Sequence, residues 1–145
     1  MELAYVPARE SDAPVIFGFA RELIERFETD PDLDLGMALD WTRRKIEKRI
    51  HEYTRVLADG ETAAFFRFVS DGGRMELDDL YVLPAFRGRG IGTAVLRRCV
   101  ASGKPVCLYV FTENIRAIAL YEREGFQRTE TVSPTRALME GPSKT

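Results

Sequence analysis

Apolar residues first recur at helical spacing between positions 15 and 27, as Val15, Phe19, Leu23 and Phe27 with Ile16, Ala20 and Ile24 beside them. Ser11 and Asp12 offer capping oxygens and Pro14 is tolerated in a first turn, so a helix is predicted from there to Glu28. A short alternating strand at 2–7 precedes it. The acidic stretch ETDPDLDLG reads as a loop. After it, Asp40 is the expected cap of a second helix, WTRRKIEKRIHEY, with Ile46, Ile50 and Tyr53 on one face. The period then changes to two. Thr54–Ala58 and Thr62–Val69 flank Asp59-Gly60, a strong hairpin signal, and Asp71-Gly72-Gly73 leads into a third strand, Met75–Leu83.

Ile91, Ala94, Val95, Leu96, Cys99 and Val100 form the next helical stripe, ended by Ser102-Gly103. Residues 105–111 (PVCLYVF) are continuously apolar, as in a strand buried on both faces. Asn114 caps a further helix through Tyr121 and Glu122, and Gly125 suits the position just past its end. FQRTETVSPTRALME yields two weak strands at best, and residues 139–145, ending in GPSKT, are expected to be a frayed tail. The order is that of a mixed α/β (α+β) sheet with a strand, glycine loop, helix, strand crossover at its centre.

Composition narrows the function more than the fold. The 145 residues suit one domain over 1–145. A net charge of −2 advertises neither nucleic acid nor an anionic membrane as partner. The two cysteines have no metal-type spacing and the single histidine builds no site, so no metal is expected. MELAYVPARESDAP is not a signal peptide and no apolar run reaches a membrane span, which makes a cytoplasmic location the expectation.

The stretch PAFRGRGIGTAV carries the sharpest chemistry. Glycines at 88, 90 and 92 open a helix, where successive backbone amides and the helix dipole bind anions. A Walker loop fails for want of a Gly-Lys pair, and a dinucleotide loop fits poorly because Thr93 stands at its third glycine. Tight helix packing is the plain alternative. The segment LYVLPAFRGRGIGTAVL resembles the acetyl-CoA loop of the GNAT N-acetyltransferase superfamily, whose Arg/Gln-x-x-Gly-x-Gly/Ala pattern falls on Arg87, Gly90 and Gly92. A second stretch, LYVFTENIRAIALYEREGF, resembles the same family's other signature through Asn114, Ala117, Leu120, Tyr121, Gly125 and Phe126. Together the two cover residues 75–126.

The resemblance implies a central, mostly antiparallel sheet splayed at a parallel strand pair and flanked by about four helices. It implies an N-acetyltransferase moving an acetyl group from acetyl-CoA to a primary amine by direct attack. Contacts to acetyl-CoA would come from Leu80, Tyr81 and Val82, from Arg87, Gly88, Arg89, Gly90, Ile91, Gly92 and Thr93, and from Asn114, Ala117 and Tyr121. Tyr121 would be the general acid for the leaving thiolate. Asn114 and Tyr121 lie seven residues apart, about 10 Å along one helix face. Taken alone, Tyr121 reads as core packing, the commoner fate of such a helical tyrosine, and Asn114 as a plain cap.

An amine of pKa near 10.4 must lose a proton to attack, at about 4.6 kcal/mol at pH 7, so a base is useful. The strand MELDDLYV offers Glu76 and Asp78 as base or amine ligand, with Asp79 as substrate contact. Without a bulge, Glu76 and Asp78 share a face with Leu80 and Val82 while Asp79 points away; a bulge would swap the faces. The acidic loop is placed near the substrate mouth, favouring a polyamine, a lysine side chain or an aminoglycoside, unless it is merely solvated. RRKIEKR reads as a solvated helix face and His51 has no evident partner. Trp41 suits core or pocket equally. Cys99 and Cys107 look like packing residues, which argues against an acetyl-cysteine route. The acceptor is a small amine or a lysine or N-terminal amine of a protein, and a homodimer is left open. The alternative in another class is a non-catalytic acyl-CoA-binding module.

Overall fold

In the computed structural model, which describes residues 1–142, seven strands form one sheet in the order β1-β2-β3-β4-β5-β7-β6. The strands are β1 (Leu3–Pro7), β2 (Tyr53–Ala58), β3 (Glu61–Asp71), β4 (Arg74–Val82), β5 (Val106–Phe111), β6 (Gln127–Thr131) and β7 (Arg136–Glu140). The helices are α1 (Ala13–Phe27), α2 (Leu35–Lys48), α3 (Ile91–Val100) and α4 (Ile115–Arg123). All neighbours pair antiparallel except β4 and β5. That parallel pair holds only at Met75 with Val106 and Glu76 with Cys107, and then parts. Its crossover is α3, as the apolar run and glycine loop predict. Among the described residues no helix is long and apolar enough to cross a membrane.

The two sheet faces bury separate cores. Leu77, Ala64 and Leu108 meet Ile91, Val95 and Leu96 of α3 and Ile118 of α4 on one side. Phe65, Tyr81 and Tyr53 meet Ile16 and Ala20 of α1 and Ile46 of α2 on the other. The hairpin forms as read: Asp59 (φ 49°) and Gly60 (φ 85°) both take the left-handed conformation that a two-residue turn requires.

Three boundaries depart from the sequence reading. Helix α2 starts at Leu35, with Asp34 rather than Asp40 as its cap; the Met37 N–H donates to Asp34 Oδ1 at 3.0 Å. Acidic residues and Gly36 disguised that first turn as loop. The helix also ends at Lys48, not at Tyr53. Tyr53 instead starts β2 opposite Arg67, accepts a hydrogen bond from the Ala8 N–H at 3.0 Å, and is 1% exposed. Strand pairing on both sides overrides the helical spacing of Ile46, Ile50 and Tyr53. Finally, β7 runs to Glu140 with Met139 fully buried, and the Gly141 N–H donates to Val106 O at 2.8 Å. Of the expected tail, 139–141 are therefore tied to the sheet and core, while 143–145 lie outside the described residues.

At the start of α1, Asp12 accepts from the Arg9 N–H at 2.8 Å and so closes the short turn before the helix instead of capping the helix itself. Removing a cap costs roughly 1 kcal/mol, whereas exposed ion pairs contribute about half that or less. Urea denaturation should find Asp34→Ala less stable by about 1 kcal/mol. Asp40→Ala, which loses exposed pairs with Arg43 and Arg44, should lose ~0.5 kcal/mol at most.

Candidate active site

Where β4 and β5 part, a cleft of about 340 Å³ opens between α1, α2 and α4. A smaller cavity of about 190 Å³ adjoins it toward Val82 and Arg87. Leu80, Tyr81, Asn114, Ala117 and Tyr121 line both. The cleft thus connects the acids of β4 to the end of the glycine loop, passing the helix that carries Asn114 and Tyr121. Among the described residues, the β4 edge facing β5 has no strand partner beyond Glu76, so backbone groups at Leu80 and Val82 stand outside the sheet ladder on that side.

The glycine loop divides its labour. Gly88 (φ 76°) and Gly90 (φ 80°) adopt a backbone that L side chains rarely take, and nothing crowds the space a Cβ would fill at either. The first closed helical bond of α3 runs from Ala94 N–H to Gly90 O, which leaves the amides of Ile91, Gly92 and Thr93 without a helical acceptor. Those amides and the exposed Arg87 and Arg89 suit an anion. Arg87 Nε donates to Val82 O at 3.2 Å, and the Arg89 guanidinium lies 5.4 Å from the Phe86 ring. Gly92 is different: a Cβ there would meet Leu120 Cδ2 at 3.3 Å. The packing explanation holds for that one glycine, which seats α3 against α4.

A bulge in β4 sets the acids. Phe66 pairs with Leu80 and Arg67 with Asp78, so Asp79 is the extra residue, at φ 59°. Aspartate is among the few side chains that tolerate this region. The bulge overturns the unbulged alternation. Leu77, Leu80 and Val82 face α3 and α4, whereas Asp78, Asp79 and Tyr81 face α1 and α2. Glu76 lines the cleft with them. Glu76 and Asp78 thus do not share a face with Leu80 and Val82, and Asp79 lies on the side of the other two acids instead of opposite them.

The three acids have different surroundings. Asp79 accepts from the Tyr53 hydroxyl at 2.6 Å and the Tyr81 hydroxyl at 2.7 Å, with Lys45 Nζ at 3.4 Å. Burial lifts its carboxyl above the ordinary value, Asp78 adds repulsion, and Lys45 and the phenols pull back. Asp78 Oδ2 accepts from Lys45 Nζ at 2.9 Å and from Arg67 Nη1 at 2.8 Å. Arg67 also binds Glu52 at 2.6 Å. Burial alone would lower the Lys45 pKa, but attraction to Asp79 and Asp78 outweighs it and raises the value. Glu76 makes no ion pair or side-chain hydrogen bond among the described residues. Burial first, then repulsion from Asp78, raises its pKa from the usual 4.5.

On α4, Asn114 Oδ1 accepts from the Ala117 N–H at 3.3 Å, so the capping role is realised while its amide group lines the cleft. Burial and the charge of Asp79 push the Tyr121 phenol up to about 12. Both cysteines are buried, and burial raises each thiol, Cys99 to about 12. Neither is poised as a nucleophile.

Several residues escaped sequence reading. Lys45 sits in the basic run RRKIEKR yet turns inward to the acids, and Arg67 lies in a strand whose pattern gave it no role. Trp41 proves both exposed (63%) and part of the cleft, at its mouth. The acidic loop after α1 does not line the cleft; Asp34 is spent on its cap. His51 lies in the turn before β2, away from the cleft.

A sheet parted at its parallel pair, with a glycine-opened helix beside the gap, defines a fold found in solved acetyltransferases. The PaiA N-acetyltransferase of Thermoplasma acidophilum, solved with coenzyme A, superposes with a TM-score of 0.72 at 18% identity, over 97% of this chain and 99% of that one. The ribosomal-protein-S18-alanine N-acetyltransferase of Escherichia coli gives 0.66 at 22% identity, over 99% and 96%. At such identities the likeness is one of fold. An uncharacterized N-acetyltransferase from Methanocaldococcus jannaschii is 42% identical over 62 residues, which are 39% of this chain and only 27% of that relative. The chain itself belongs to the acetyltransferase (GNAT) family, matching it across residues 17–126.

Tyr53→Phe deletes a charge-assisted hydrogen bond to a buried carboxylate, and such bonds contribute about 2 kcal/mol. Urea denaturation should register a loss near that size, and an unchanged midpoint would show the Asp79 network to be energetically idle.

Proposed function

We propose that this protein acetylates a primary amine with acetyl-CoA by direct attack in a ternary complex. The observation that carries this reading is the continuity of the cleft. One cavity system joins Glu76, which makes no ion pair among the described residues, to Tyr121 and on to Arg87, where the glycine loop begins. Bound acetyl-CoA supplies the acetyl group as a thioester, whose carbon a neutral amine attacks as the carbon–sulfur bond breaks. The amides of Ile91, Gly92 and Thr93, with Arg87 and Arg89, hold the pyrophosphate. Leu80, Tyr81 and Val82 present backbone to the pantetheine arm, and Asn114 and Ala117 flank it. Such residues fit the group: the loop offers open amides, positive charge and no Cβ in the way.

Glu76 takes the proton that the amine must lose. Asp78, the other candidate base, is bound by Lys45 and Arg67 and serves instead to hold the site's shape, as does Asp79. A carboxyl lifted toward neutral pH is a better base than an ordinary one because the proton it takes is held more firmly. Tyr121 remains protonated throughout the working range and directs its hydroxyl at the leaving sulfur. Burial keeps the phenol in its protonated form, so a hydroxyl is there to donate when the thiolate develops in the same site. Its contribution is therefore a hydrogen bond that strengthens as negative charge grows on sulfur. As general acid, Tyr121 then gives its proton to the departing thiolate.

With acetyl-CoA and an amine panel, Tyr121→Phe should lower kcat about 10²-fold while calorimetry finds CoA affinity unchanged. No thiol release by wild type with any amine, despite tight CoA binding, would favour a non-catalytic acyl-CoA-binding module. Gly90→Asp places a side chain and a negative charge where φ is 80°, and calorimetry should detect no CoA binding; retained affinity would overturn the phosphate assignment. The acidic limb of kcat/KM should fall above pH 4.5, where Glu76 gains its proton as pH drops, and Glu76→Gln should lower the rate and abolish that limb.

A further inference from the structure

The cleft is lined by three carboxylates, Glu76, Asp78 and Asp79, against two inward cations, Lys45 and Arg67. Arg136, also at its wall, faces Glu28 at 3.9 Å and lies over the Phe111 ring, and it pairs with none of the three carboxylates among the described residues. Lys45 is the unusual member. It comes from α2, crosses to β4, and sets its ammonium 2.9 Å from Asp78 and 3.4 Å from Asp79. The groups are not sealed away: the side chains of Lys45, Asp78 and Asp79 are 16%, 21% and 14% exposed. An alkylammonium therefore already occupies the paired aspartates inside the cleft that would receive an alkylammonium acceptor.

We propose that Lys45 acts as a built-in second cation that fills the Asp78–Asp79 site, leaves Glu76 as the one open anion, and so selects singly charged amines over diamines and polyamines. This rests on the amine-acetylating reading of the same cleft. A monoamine places its ammonium at Glu76 and its hydrocarbon against the apolar wall of Leu23 and Ile24. A diamine entering the same way brings a second ammonium toward Lys45, and like charges in a partly desolvated cleft repel. Removing the lysine charge opens a second ammonium site beside Asp79, while Arg67 stays on Asp78 at 2.8 Å. Specificity here is a matter of an internal charge placed against the wrong ligand.

The test measures binding of n-butylamine and 1,4-diaminobutane to the full chain by calorimetry, with CoA present and at low ionic strength, where charge effects are least screened. Wild type should bind n-butylamine more tightly than the diamine. Lys45→Met should bind the diamine about tenfold more tightly than wild type does, equivalent to about 1.4 kcal/mol, with n-butylamine changed much less. Lys45→Gln, which retains a polar end for Asp78, should shift the same way, so the result does not hang on one variant's folding. Lys45→Arg keeps the charge and should keep the wild-type preference. A wild type that prefers the diamine, or binds neither amine, would overturn the proposal. So would an unchanged ratio in the two neutral variants. If the ratios shift as expected but no variant releases thiol from acetyl-CoA, the role of Lys45 stands and acetyl transfer falls.

Discussion

One extra residue in β4 governs what the rest of this structure can do. Because Asp79 has no partner on β3, the strand changes faces between Asp78 and Leu80. An unbulged strand would send alternate acids into the two opposite cores, and one of those is the apolar packing beneath α3. The bulge instead collects three carboxylates on the α1–α2 side and returns Leu80 and Val82 to the other. The left-handed backbone at Asp79 is strained for most side chains, and the two phenols and the Lys45 ammonium are what hold it there.

That network also explains how helix α2 is held. Only Ile46 of α2 is fully buried, so apolar packing alone fixes it weakly. Lys45, one residue earlier, anchors the same turn to the aspartates of β4. Polar and apolar anchors thus act at a single turn, with Leu39 packing partly against Ile24, Phe27 and Phe111 and Trp41 left exposed at the cleft. Beside α2, the C-terminal end of α1 is tied down through Glu28, which accepts from the Thr135 hydroxyl at 2.5 Å. The cleft is thus bounded by helices pinned at a few polar points.

Much of this arrangement was legible in the chain. The hairpin, the crossover helix, the buried strand β5 and the Asn114 cap follow from local signals whose physical causes are local too. The glycine loop and the α4 signature were readable because backbone conformation and helix periodicity leave direct marks on sequence. The bulge was not readable, since MELDDLYV alternates acceptably in either register and only pairing with Phe66 and Arg67 decides. Lys45 was hidden for a related reason: a lysine in a basic helical run looks solvated until its tertiary partner is known. Tyr53 failed in the same way, its helical spacing with Ile46 and Ile50 outweighed by two flanking strands. The cap at Asp34 was missed because the acids around it made a capping oxygen look like loop polarity.

Gly92 has a consequence beyond the loop in which it sits. Since its missing side chain lets Leu120 approach, the offset between the first amides of α3 and the Asn114–Tyr121 face of α4 is set where two helices cross. A crossing of packed helices is stiff, whereas a loop of glycines is not. In the proposed complex, the span between the anion-holding amides and the phenol is therefore a fixed length. The protein would measure its ligand's arm with a ruler made of helix contact, and an arm much shorter or longer than that span would hold its reactive end out of register with Glu76 and Tyr121.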